Sequence, residues 1–439
     1  MDSLARQEAT PLSPPLDDSA RLAPRPRTIA ETGLNQPFLT ELLAKHLYQA
    51  GVLDQRQLGE RMALAWSILE GLVGALRTGA YVEVRGNTEG TAAMRYALTE
   101  RGHALALEAM MKSGYVGPAP VPLEDYTRVV QAQSVHRCLV TRERMRAAFA
   151  DLHIRDALLN QLGPAMHSGR PIFLYGPPGT GKTFIGQRLA RLLEGAVLIP
   201  HALAVGDNVF QFFDPTVHHP VPEERGTGRV RLEEGHDPRF VRCQRPVATT
   251  GGELTLDMLE LSYEPLTKQY QAPLQLKANN GIYMIDDLGR QRVAPAELLN
   301  RWIGPMAENR DFLSFASGRR FPAPFDVILI FSTNLKPLDL ADEAFLRRLG
   351  YKLRFETLLP PEYEGIWRQV CGERQIPFDP AVLHHALGLY SREQVPLLPC
   401  HPRDLLGLIT DQCRYHGEPP EATIERLEIA WNSYFVKPT

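Results

Sequence analysis

Gly176-Pro177-Pro178-Gly179-Thr180-Gly181-Lys182-Thr183 constrains this chain more than any other stretch. A short apolar run, Pro171 to Tyr175, leads into it, and a helical pattern, Phe184 to Leu193, leads out. Strand, Gly-rich turn and helix in that order make one unit of an α/β sheet. The glycines let the backbone curl so that successive N–H groups point inward at phosphate oxygens. The helix start adds partial positive charge. Lys182 supplies a mobile ammonium for β- and γ-phosphates, and Thr183 a hydroxyl for Mg²⁺. The eight residues predict nucleoside triphosphate binding. An ordinary Gly-rich turn does not account for a complete motif in this context.

Kinases, switches and motors share such a loop, so the rest of the chain must choose between them. Its 439 residues allow two to four domains. A hydrophobic share of 44%, a charged share of 23% and a net charge of −3 fit a globular protein with no global drive toward nucleic acid or anionic membrane. No apolar run approaches a membrane span and no signal-peptide pattern opens the chain, so a cytoplasmic setting is expected. The five cysteines, Cys138, Cys243, Cys371, Cys400 and Cys413, are scattered, as buried reduced thiols would be. Cys400-His401 and Cys413-x-x-His416 could be imagined as zinc ligands, but their spacing fits no common zinc site.

Read from the start, residues 1–30 are polar and Pro-rich and are expected to form a disordered tail. Residues 31–115 read as one small domain. Leu39, Leu42, Leu43 and Leu47 recur at helical spacing, Leu53 to Met62 suggests a second helix, and Leu64 to Leu76 a third. Tyr81–Val84 and Met94–Leu98 read as strands joined by a turn at Gly86 to Gly90, and Thr99-Glu100-Arg101-Gly102 starts another helix. Three helices and a hairpin resemble a winged helix-turn-helix. Its third helix would read DNA, yet that helix carries only Glu70 and Arg77, and the wing carries Glu89 with Arg85 and Arg95. DNA binders neutralise phosphates with more Lys and Arg than this, so protein interaction is favoured over DNA. Residues 116–145 read as a linker opening on stiff Gly117 to Pro122.

Two further apolar runs end in polar residues. Gly281 to Ile285 runs into Asp286-Asp287, and Phe325 to Thr333 runs into Asn334. A buried strand that ends in Asp286 beside the phosphate loop would hold the water shell of Mg²⁺. Asp287 then stands where a base or water-orienting residue is needed. Between residues 200 and 280 lies a long insertion containing Val209 to Phe213, His218-His219 and an Arg-rich piece, Arg239 to Pro246. Such an insertion reads either as a surface elaboration that packs a neighbouring subunit or as a substrate contact made by its aromatics. Strands flanking Ser317-Gly318 signal a hairpin. Asp342 to Arg348 reads as a short helix ending in Arg347-Arg348, and residues 359–439 read as helical, with Pro402-Arg403 near the start of one helix.

In this order the motifs resemble the AAA+ ATPases over about residues 130–439. The resemblance makes Gly176 to Thr183 the Walker A loop and Asp286-Asp287 the Walker B pair. Most members have Glu at the second position. Asp-Asp followed by Leu288-Gly289 is similar to helicase loaders and transposition helpers. Asn334 resembles sensor 1, Arg347-Arg348 the arginine finger of Clp-type motors, and Arg403 sensor 2 of the lid. The hairpin resembles that of the clade with MoxR-like and Clp-type members. An Arg pair that merely complements a helix dipole, and a plain surface Arg403, are the bland alternatives. The resemblance implies an α/β core over 146–358 with a parallel sheet of order 5-1-4-3-2, a helical lid over 359–439, ATP and Mg²⁺ as ligands, and a homo-oligomer, most often a hexamer. It implies an ATP hydrolase that remodels a protein client through the winged helix, or else a DNA-linked loader, helper or regulator.

Overall fold

The computed structural model describes residues 19–85, 94–222 and 235–435. Residues 1–18 of the expected tail and the expected turn at Gly86 to Gly90, with Glu89, lie outside the described residues.

At the centre is a five-stranded sheet in which every pairing is parallel. Across the sheet run Val247–Thr250, Gly281–Ile285, Val327–Thr333, Ile172–Tyr175 and Tyr351–Arg354. In chain order these are the second, third, fourth, first and fifth strands. Gly281–Ile285 and Val327–Thr333 are buried along their whole length, as strands covered on both faces must be. Alternation sorts their side chains. Ile172, Leu174, Ile282, Met284, Ile328 and Ile330 face one core with Leu159, Leu162 and Ile185. Phe173, Tyr283, Ile285, Leu329 and Phe331 face the other, with Leu298, Trp302 and Phe345. The register sets Thr333 opposite Tyr175 and Phe331 opposite Ile285. The strand ends that precede Gly176, Asp286 and Asn334 therefore lie along one rim.

The edge position of the sheet was not legible in the sequence. The strand after the phosphate loop, Ala196–Pro200, pairs antiparallel with Phe240–Gln244 in a separate ribbon. The edge is taken by Val247–Thr250, which comes from within the insertion.

The N-terminal domain consists of helices Gln36–Ala50, Gln55–Met62, Trp66–Thr78 and Glu100–Lys112. They pack on a small antiparallel sheet with Arg95–Leu98 between Val52–Asp54 and Val82–Arg85. Asp54 and Gln57 cap the second helix reciprocally, which fixes where strand becomes helix. The exposed face of Trp66–Thr78 presents Ser67, Glu70, Gly71, Gly74 and Arg77.

Much of the insertion folds against its own chain. Ser262–Glu264, Gln269–Gln271, Asn208–Gln211, Ala202–Val205 and Val121–Pro122 form a second five-stranded sheet in that order. Phe210 and Phe212 have no exposed surface and pack with Tyr126, Phe315 and Phe321, so they present nothing to a substrate. Ala202 and Val209 join the core of the chain's own N-terminal domain. Arg239 and Asp237, each 3% exposed, form a buried ion pair there. Arg239 also donates to the carbonyls of Thr32 and Pro120.

The expected disordered tail, where described, and the expected linker both pack on the rest of the chain. Ser19–Leu22 is helical, Ala23 is buried, and the Asp237 amide donates to the Ala23 carbonyl at 2.8 Å. In the expected linker, Leu123–Ala132 is a helix, and Ser134 Oγ and the Val135 amide both donate to the Asp326 carboxylate. Apolar residues pulled these segments down: Leu22 and Ala23 in one case, Leu123, Tyr126, Val129 and Val130 in the other, all packed in the insertion core. The hairpin Arg310–Ser314/Arg320–Pro324 forms, and it turns Leu313, Phe321 and Ala323 into that same core. Pro360–Glu373, Pro380–Glu393, Cys400–His416 and Ile424–Tyr434 form a C-terminal helical domain around Tyr363, Trp367 and Trp431. Its third helix starts at Cys400, so Pro402 sits inside the first turn.

Candidate nucleotide site

A cavity of about 520 Å³ opens between the rim of the parallel sheet and the C-terminal helical domain. Pro178 to Thr183 line its floor, Asp287, Ser332 and Asn334 one wall, and Arg403 and Asp404 the facing helix. Gly176 and Pro177 are not among the residues that line the cavity.

The loop's geometry depends on glycine at two points. Gly176 has φ 144°, and a Cβ there would lie 2.1 Å from the Phe355 carbonyl oxygen. Gly179 has φ 78°, and a Cβ would lie 2.8 Å from Cys400 Sγ of the helical domain. Any side chain at either position would displace the fifth strand's end or the helical domain. The Lys182 side chain, 6% exposed, folds back along the loop. Its ammonium donates to the Gly176 and Pro177 carbonyls at 2.9 Å and to Asn334 Oδ1 at 2.8 Å. Burial lowers its pKa, and the charges of Asp286 and Asp287 oppose that shift.

Thr183 Oγ1 donates to Asp286 Oδ2 at 2.8 Å. Asp286 Oδ1 accepts from the Asp287 amide at 3.0 Å, which aims that oxygen along its own turn. Asp287 has φ 48°, in the left-handed region, a conformation that costs a residue with a Cβ about 1 kcal/mol or more. Asn334 Nδ2 donates to Asp287 Oδ1 at 3.2 Å. Asn334 thus bridges the Lys182 ammonium and the Asp287 carboxylate. Five of the residues singled out in the sequence, Lys182, Thr183, Asp286, Asp287 and Asn334, form one connected hydrogen-bonded cluster although 152 positions separate Lys182 from Asn334.

Arg403 lines the cavity from the helical domain, its guanidinium carbon 5.9 Å from the Phe184 ring centroid. Its carbonyl accepts from Arg374 at 3.3 Å. Arg347 and Arg348 are exposed on the helix Glu343–Arg348 and do not line this cavity. Arg347 pairs with Glu343 at 3.5 Å.

The residues present suit a nucleoside triphosphate with Mg²⁺. Thr183 Oγ1 and the Asp286 carboxylate are hard oxygen donors placed together, the ligand type Mg²⁺ prefers. The Lys182 ammonium is held by neutral oxygens next to open space and can exchange them for phosphate oxygens. The cavity also has an apolar wall, Leu152, Ile154, Leu158, Phe355, Leu358 and Ile366, suited to a flat base. Leu152 and Ile154 of that wall lie where the chain breaks between helices Arg142–Ala148 and Asp156–Ser168, and nothing in their spacing marks them as part of a site. Arg290, 4.0 Å from Asp287, was likewise not picked out, because an Arg in a turn carries no sequence signal of its own. Among the described residues no three His, Cys, Asp or Glu side chains gather to hold a metal. His401 is buried and stacked on Tyr390 instead. No helix of the described residues is long and apolar enough to cross a membrane.

A family described as a domain of unknown function, DUF8689, matches residues 360–433, the C-terminal helical domain. No curated protein matches the chain. Among solved structures it is similar to NtrX from Brucella abortus, at 15% identity and a TM-score of 0.40, over 84% of this chain and 68% of that one. It is also similar to RuvB, the Holliday junction branch migration motor of Thermotoga maritima, at 12% identity and a TM-score of 0.35, over 68% of this chain and 72% of that one.

Proposed function

We propose that this chain is an AAA+ ATPase that hydrolyses ATP and uses the cycle to remodel a protein client. The observation that carries the reading is the cluster joining Lys182, Thr183, Asp286, Asp287 and Asn334 on the rim of a parallel sheet, under a helical lid. The sheet order supports the same reading. Lys182 would take the β- and γ-phosphates, and the backbone of Gly179 to Thr183 would cradle the chain of oxygens. Mg²⁺, held by Thr183 Oγ1 and Asp286, would neutralise charge along the phosphates. Asp287 accepts a proton from the attacking water as its oxygen bonds the γ-phosphorus and the bond to the bridging oxygen breaks, releasing ADP. Asn334 orients that water and Asp287 together. Arg403 reaches the nucleotide from the lid. Arg347 and Arg348 act on the nucleotide of a neighbouring subunit in a ring, most simply a hexamer, since they lie outside their own chain's cavity.

The N-terminal domain, a winged helix on this reading, recruits the client. Its exposed third-helix face, Ser67, Glu70, Gly71, Gly74 and Arg77, has one base and one acid, which supports a protein partner. The domain's helix and strand order favours the second reading, a DNA-linked loader or regulator. Binding of duplex DNA by the full chain with ATP, at two salt concentrations, separates them. Tight, sequence-specific binding at physiological salt would establish the second. The ATPase reading is tested by Asp287→Asn, which should bind ATP normally and turn it over about 100-fold or more slowly. Wild-type turnover would remove Asp287 from its role.

A further inference from the structure

Asp287 must hold its carboxylate at the cavity on a turn with positive φ at two positions on either side of Leu288, 48° at Asp287 and 102° at Gly289. Backbone contacts account for part of the hold. The Asp286 amide donates to the Thr250 carbonyl at 2.7 Å, and the Leu288 amide to the Ser332 carbonyl at 2.8 Å. The Asp286 carbonyl and the Gly289 amide bracket Asp287 and are not used by either contact. One side chain takes both. Gln291 Oε1 accepts from the Gly289 amide at 2.8 Å, and Gln291 Nε2 donates to the Asp286 carbonyl at 3.2 Å. The same nitrogen donates to the Gly251 carbonyl at 3.0 Å, just past the edge strand Val247–Thr250.

We infer that Gln291 is a positioning residue, whose carboxamide clamps the turn on both sides of Asp287 and moors it to the end of the edge strand. The chemistry requires an amide. It offers an acceptor to an N–H and donors to two carbonyls, all at once. A carboxylate at this place would face the Asp286 and Gly251 carbonyls with no proton to share, and a thioether would fill the space with neither donor nor acceptor. Gln291 is not among the residues that line the cavity, so it acts through Asp287 and not on the nucleotide. This inference rests on the ATPase reading above.

The test is steady-state ATP hydrolysis by the full chain with Gln291→Met and the near-isosteric Gln291→Glu, each alone and with Asp287→Asn. Affinity for a non-hydrolysable ATP analogue is measured in parallel. Both single variants should lose 10- to 100-fold in kcat while KM and analogue affinity stay within about twofold. On the Asp287→Asn background, Gln291→Met should cost no further rate, because its only route to the reaction has been removed. Wild-type kcat in both Gln291 variants, beside a slow Asp287→Asn, would overturn the inference and leave the ATPase reading standing. So would a further tenfold loss in the double variant, or loss of analogue affinity in step with kcat, which would make Gln291 a general support of the fold. Wild-type turnover in Asp287→Asn itself would overturn both.

Discussion

Lys182 and Arg239 are both cations buried almost completely, at 6% and 3% exposure, in two regions built on opposite terms. Lys182 is held by three oxygens, two backbone carbonyls and Asn334, and its surroundings include a cavity of about 520 Å³. Arg239 is held by the Asp237 carboxylate and by the carbonyls of Thr32 and Pro120, at the junction of the insertion with the N-terminal domain. The first cation keeps neutral partners that a phosphate can replace. The second has a full counter-charge and ties segments 207 residues apart. Burial of a charge therefore does not identify a site. What separates the two is whether the charge is already neutralised and whether open space adjoins it.

The largest effect is expected at two charges that are exposed, Arg347 and Arg348. If Arg347 and Arg348 complete a neighbour's site, Arg347→Ala/Arg348→Ala should lower kcat by roughly 10³-fold or more with little change in nucleotide affinity. Mixing that variant with Lys182→Ala should restore part of the activity, because some interfaces then pair an intact phosphate loop with intact arginines. No recovery in mixtures shown by light scattering to be assembled would make the pair structural.

Next in size is the junction. Arg239→Met should destabilise the chain by about 3–5 kcal/mol, since Asp237 would be left buried without its counter-charge. Denaturant unfolding measures this, and the ATP affinity of the folded fraction should not change. The converse holds for Lys182→Ala. It should lose on the order of 100-fold in ATP affinity, from charge-assisted bonds to phosphate, with stability close to wild type. A large fall in unfolding free energy for Lys182→Ala would erase the distinction between the regions.

The smallest effect concerns His218, which is buried and stacked on Phe212 in the insertion. Its Nδ1 accepts from the Asp214 amide at 2.9 Å, so Nε2 carries the proton it shares with the Lys277 carbonyl. Burial pushes its pKa down to about 4, against the bond to Lys277 and the charge of Asp214, while Lys277 and His219 reinforce the fall. The unfolded chain then binds more protons than the folded one between about pH 4 and 6.5, and stability is lost as pH falls through that window. His218 should contribute about 1 kcal/mol of loss between pH 6.5 and 5.5. His401, also held down to about 4, adds its own share in the C-terminal helical domain. A thermal unfolding series should show a shallower acid slope in His218→Gln than in wild type.

The pieces of the candidate site that were legible are those whose chemistry is local. Gly176 to Thr183 is one continuous segment, and its strand, turn and helix follow from residues within a few positions of one another. Asp286, Asp287 and Asn334 each end an apolar run, and in parallel strands with matched register such ends must meet. The burial of Phe210 and Phe212, the docking of Ala23 on Asp237, and the edge strand Val247–Thr250 depend on partners far along the chain, which periodicity does not report.

The strand, turn and helix around Gly176 to Thr183, the strands that end at Asp286 and Asn334 and the helices of the C-terminal domain are each written in spacing and residue type. Contacts between distant segments settle that the insertion packs on its own N-terminal domain, that Leu152 and Ile154 wall the cavity, that Arg347 and Arg348 stay outside it, and that Gln291 brackets Asp287. An amide, an arginine or a phenylalanine carries the same letter whether it faces water, a core or a turn. Which of these it meets is set by contacts between segments that the fold brings together.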